Sequence, residues 1–172
     1  MKNKEFTIHQ GKQSMVDKLM DARQKMIDQV KTKSHRLEEI HSIDAVMYIN
    51  DSSATSIMLA KDSIRCIKDP IVWVLEGTDF DRDFILLNKI AKYKLKAIVA
   101  FGSDTNDAKR DLSSSVDHFV QTGDLESALE QARVLSQSGD VVLYSPSCPV
   151  KGPYANYAER GEAFKKAVKN LK

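Results

Sequence analysis

Residues 45–75 read AVMYINDSSATSIMLAKDSIRCIKDPIVWVL, and this stretch decides the fold class. Its two ends, Ala45–Ile49 and Ile71–Leu75, are short apolar runs rich in β-branched residues, the pattern of strands buried on both faces. Between them, Ser53–Ile67 places Ile57, Leu59, Ala60, Ile64 and Ile67 at helical spacing on one face. Asp69-Pro70 closes the helix, because proline lacks an N–H and disfavours helical geometry in the residue before it. A strand, a helix and another strand in that order form a right-handed crossover between parallel strands.

Outward from this unit the alternation continues. Phe84–Tyr93 reads as a helix, Ala97–Phe101 as a strand closed by Gly102, Asp107–Leu112 as a weak helix and His118–Gln121 as a short strand. Gly123-Asp124 opens a helix over Leu125–Ser136, Val141–Tyr144 is the last strand, and Ala158–Leu171 the last helix. On the N-terminal side, Leu37–Ile43 forms a hairpin with Ala45–Ile49, linked tightly around Ser42–Asp44. The sum is a three-layer α/β domain: a mostly parallel sheet of about six strands, the first hairpin strand antiparallel at the edge, and helices on both faces. Ahead of it, Met15, Val16, Leu19, Met20, Ala22, Met26, Ile27 and Val30 predict an amphipathic helix over 12–34. The chain thus divides into an extension, 1–32, and a domain, 33–172. The extension's apolar stripe is read as a homodimer contact, a dock for another protein, or a cover folded back over the sheet edge.

Composition narrows the function classes. Lys and Arg total 26 against 24 Asp and Glu, too even a balance for a field that attracts nucleic acid or an anionic membrane. No apolar run approaches the roughly 20 residues of a bilayer span, and MKNKEFTIHQGK lacks the apolar core of a signal peptide. The expectation is a cytoplasmic protein. Cys66 and Cys148 lack CxxC spacing and are read as free thiols, and the four histidines lack the paired spacing of metal ligands. Cys148 is a reactive thiol only if a helix N-terminus lowers its pKa, and otherwise a packing residue. Trp73, inside a core strand, is read as packing.

Loops after two buried strands carry the chemical signal: Asn50-Asp51-Ser52-Ser53-Ala54-Thr55 after AVMYI, and Ser145-Pro146-Ser147-Cys148 after VVLY. Such loops lie where a parallel sheet opens its ligand crevice. His35-Arg36-Leu37-Glu38 precedes the first, and Tyr154-Ala155-Asn156-Tyr157-Ala158-Glu159-Arg160-Gly161-Glu162-Ala163-Phe164 follows the second. In that order and spacing, from about residue 33 onward, the chain resembles the C-terminal domain of the Mur ligases, most closely their D-glutamate-adding branch. The resemblance implies a Rossmann-like fold. It also implies a reaction in which ATP activates a carboxylate as an acyl phosphate and an amine attacks it. In that family phosphate transfer and magnesium binding belong mainly to a central P-loop domain, whose Gly-rich loop ends in Gly-Lys-Ser/Thr. These 172 residues contain no such loop, since Gly11-Lys12 lacks the upstream glycine and the preceding strand. The expected cofactors are therefore none alone, with ATP and magnesium only beside a P-loop partner.

By the resemblance, Arg36 and Asp51 are nucleotide contacts. The residues by themselves read as a surface arginine and a helix-capping aspartate. The substrate crevice departs from the family at three places. Ser53 stands where the family has a lysine, Phe80 where a second lysine stood, and Val150 where a serine supplied a hydroxyl. Arg82, one helical step from Phe80, is read as a stand-in cation, and Glu76 and Asp81 as mutually repelling acids in the same crevice. Thr55, Lys151 and Tyr157 complete the candidate crevice, while Asn50, Ser145, Arg160, Gly161 and Phe164 are residues that turn, cap and pack. The leading expectation is a non-catalytic binding or regulatory module related to peptidoglycan precursor synthesis. The alternative is half of a split ATP-dependent acid–amino acid ligase, with Arg36 and Asp51 on nucleotide and Thr55, Arg82, Lys151 and Tyr157 on a changed substrate.

Overall fold

The structure, a computed structural model, describes residues 14, 15, 18, 19 and 34–171. Most of the helix expected over 12–34 lies outside the described residues; Met15, Lys18 and Leu19 are helical. The strands are β1 (Glu38–Ile43), β2 (Val46–Asn50), β3 (Ile71–Glu76), β4 (Leu95–Phe101), β5 (His118–Thr122) and β6 (Val141–Tyr144). The helices are α1 (Ile57–Cys66), α2 (Asn88–Lys94), α3 (Asn106–Leu112), α4 (Leu125–Leu135) and α5 (Tyr157–Asn170). One six-stranded sheet runs in the order β1-β2-β6-β3-β4-β5. β1 pairs antiparallel with β2 and every other pairing is parallel.

Alternation along the strands builds two cores. Ile71, Trp73 and Leu75 point to one face with Ile98, Leu143 and residues of α1, α2 and α3. Val72 and Val74 point to the other with Tyr48, Val99, Tyr144 and residues of α4 and α5. The expected three-layer α/β fold is thus observed.

Boundaries shift where local chemistry outweighs periodicity. Leu37 has φ 46° and ends the lead-in, so β1 starts at Glu38. The hairpin turns at Asp44 and Ala45, both with positive φ (52° and 60°), the type I′ geometry that matches strand twist. α1 begins at Ile57, four residues later than expected, because Ser56 is its cap and accepts a hydrogen bond from the Leu59 N–H at 3.3 Å. The helix expected over Phe84–Tyr93 opens with a 3₁₀ turn, Phe84–Leu87, and becomes α-helical from Asn88.

Candidate functional site

The return of β6 to a slot between β2 and β3 sets the site. It makes the loops after β2, β6 and β3 neighbours at one end of the sheet, where the strand order switches direction and ligand crevices open. Asp51, Ser53 and Thr55 lie on the first loop, Val150 and Lys151 on the second, and Phe80 and Arg82 on the third.

Asp51 is fully buried and caps no helix. One carboxylate oxygen accepts from the Leu37 N–H at 3.2 Å and the other from the Ser145 hydroxyl at 2.8 Å, which ties the β2 loop to β6. Arg36 Nε lies 3.8 Å away, with the Arg36 side chain mostly buried. The reading of a capping aspartate is therefore corrected, since Asp51 belongs to the interior, and Arg36 is half-buried against it rather than free on the surface. Burial pushes the Asp51 carboxyl above its ordinary value, against the pull of Ser63, Ser145 and Arg36. Beside it, Ser53 donates its N–H to the His35 carbonyl at 3.0 Å while its buried hydroxyl has no partner. Thr55 is half-buried.

Arg82 is buried and committed. Its Nε donates to Asp107 at 2.8 Å, a second guanidinium nitrogen reaches the other Asp107 oxygen at 3.3 Å, and the third donates to the Glu76 carbonyl at 2.8 Å and the Ser147 hydroxyl at 3.3 Å. Its guanidinium also stacks 4.8 Å from the Phe84 ring centre. Phe80 is 41% exposed. Lys151 ion-pairs with Asp79 and holds its ammonium 5.1 Å from the Phe80 ring centre. Val150 is half-buried beside it in sequence, and Tyr157 opens α5 with its ring edge-on to His35 at 6.1 Å.

The expected clash between Glu76 and Asp81 does not occur. Glu76 accepts from Arg160 at 3.1 Å, and Asp81 pairs with Arg110 at 3.0 Å. Burial pushes the Glu76 carboxyl up, with Arg160 and then Arg82 opposing.

Arg160 is the hub of the crevice floor. It is fully buried, and besides Glu76 it donates to the Cys148 carbonyl at 3.3 Å and to the Ser52 carbonyl at 2.9 Å. One side chain therefore pins the loops after β3, β6 and β2. The sequence carried a sign of this, since Arg160 shares a helical stripe with Phe164, Ala167 and Val168, the face α5 turns to the core. Gly161 makes that approach possible, because a Cβ there would lie 2.3 Å from His35 Nδ1 and 2.4 Å from Ser52 Oγ. The Cys148 thiol is buried and pushed up to about 11, chiefly by desolvation, which leaves it a packing group. Trp73 does more than pack: its indole N–H donates to the Ser145 carbonyl at 2.8 Å. Among the described residues no three His, Cys, Asp or Glu side chains gather as metal ligands, and no helix is long and apolar enough to cross a membrane.

No protein-family model matches the chain. The UDP-N-acetylmuramoylalanine–D-glutamate ligase of Salinibacter ruber is 36% identical over 137 residues, which are 80% of this chain and 30% of that protein. The ligase of the same name from Christiangramia forsetii is 35% identical over 162 residues, 92% of this chain and 36% of that protein. The chain is a homologue of the D-glutamate-adding Mur ligases. It spans 30 to 36% of the length of these curated relatives. The homologue also superposes on a MurF ligase from Thermotoga maritima in complex with ADP, at 15% identity and a TM-score of 0.48, over 81% of this chain and 32% of that one.

Proposed function

We propose that this Mur ligase homologue is a non-catalytic binding or regulatory module of the C-terminal, amino-acid- and nucleotide-contacting type, linked to peptidoglycan precursor synthesis in the cytoplasm. One observation carries the reading. The cations that approach the crevice are already matched to carboxylates of the chain: Arg160 to Glu76, Arg82 to Asp107, Lys151 to Asp79 and Arg36 to Asp51. An anionic guest would have to displace a partner from one of these pairs. For the buried ones that leaves a carboxylate uncompensated, a cost of about 3 to 5 kcal/mol. Both Asp51 oxygens are likewise occupied, so a ribose hydroxyl would compete with Leu37 and Ser145.

The test is titration calorimetry of the full chain with D-glutamate and, separately, with a non-hydrolysable ATP analogue and magnesium. The expected result is no saturation with either below about 1 mM, roughly 4 kcal/mol of binding energy. Saturation by D-glutamate at lower concentration sinks the reading. Tight nucleotide binding that appears only beside a P-loop-bearing subunit would favour the split-ligase half instead.

A further inference from the structure

Among the described residues β1 is a sheet edge, with β2 as its strand neighbour. Beside it runs a groove lined by Ile40, His41, Ser42 and Ile43 of β1 and by Val168, Lys169 and Leu171 at the C-terminal end of α5. Ile40, Ile43 and Leu171 are only partly buried against the α4–α5 core. An open edge with an apolar flank invites pairing with another chain, and proteins commonly cover such edges with a helix.

A candidate cover is tethered to the same strand. The Lys18 N–H donates to the Ser14 carbonyl at 3.0 Å, one helical turn, and Met15 and Leu19 follow one another on a single face. They are 81% and 70% exposed. Ser34 lies fifteen positions after Leu19 and four positions before the start of β1. That span reaches about 22 Å as helix and about 50 Å extended, whereas the six residues of β1 run about 20 Å. The groove at the Ile43 end is within reach.

We infer that the helical segment bearing Met15 and Leu19 docks in the groove between β1 and α5 of its own chain and covers the sheet edge. The occupant is the chain itself rather than a second copy, because a short tether holds the segment at an effective concentration on the order of millimolar. Two apolar side chains spaced one turn apart match a groove whose apolar residues come in pairs from β1 and α5.

The test uses the full chain with Cys66→Ser, to remove the exposed native thiol. Leu19→Cys is combined with Ser42→Cys and the protein is mildly oxidised with diamide. Docking yields a disulfide within monomers, while Leu19→Cys with Lys92→Cys, on the opposite face of the sheet, stays reduced. A bridge found only between two chains, or no bridge, overturns the inference. In a second arm, Met15→Lys with Leu19→Lys in the otherwise native chain should raise amide exchange at least tenfold across residues 39–43 and 168–171. Unchanged exchange there also overturns it.

Discussion

Asp51 shows how much a single side chain's surroundings decide. In sequence it looks like a cap, yet in the fold it is a buried acceptor between Leu37 and Ser145. Its carboxyl is raised by burial, so its charged form is less favourable in the folded state than in the unfolded chain. Stability tied to such a group is present below the ordinary aspartate value and lost as pH rises through the raised one. Asp51→Asn keeps an acceptor for Leu37 and removes the titration. The expectation is that urea midpoints of Asp51→Asn gain on the native protein as pH rises above the ordinary aspartate value, while Asp51→Ala loses about 2 to 3 kcal/mol by orphaning two buried donors. A pH-independent gap between the Asn variant and the native protein contradicts the burial argument.

At the scale of elements, α5 is bolted to the crevice through two adjacent residues. Gly161→Ala gains up to about 1 kcal/mol of helix propensity but puts a methyl carbon inside His35 and Ser52. Overpacking of that kind costs about 1 to 3 kcal/mol, so thermal unfolding should show net destabilisation, and a more stable variant refutes the close approach. Arg160→Met removes the charge that answers Glu76 and the donor shared by the Ser52 and Cys148 carbonyls. A loss of about 3 to 5 kcal/mol is expected. Adding Glu76→Gln should recover part of it, because the orphaned carboxylate is then gone; a double variant no better than the single one argues against the ion pair as the source.

For the whole molecule, the sheet order sets a gradient of stability. β6 and β3 lie at the centre, each flanked by strands and buried on both faces, whereas β1 and β5 are the edges. Native-state hydrogen exchange should therefore protect Ile71–Glu76 and Val141–Tyr144 up to the global unfolding free energy and release His118–Thr122 first. Equal protection of β5 and β3 would deny that order. The same order explains why the crevice exists, since only the return of β6 beside β2 brings Ser145 to Asp51 and Cys148 to Arg160.

By itself, the sequence determined the elements and their faces, because strand and helix periodicity are local properties of residues such as Ile71–Leu75 and the Arg160, Phe164, Ala167 stripe. Which charges remain for a guest was decided only by the tertiary structure. Ion pairs such as Glu76 with Arg160 and Arg82 with Asp107 join residues 84 and 25 positions apart, and no spacing rule reaches across a sheet whose strand order must be known before those partners meet.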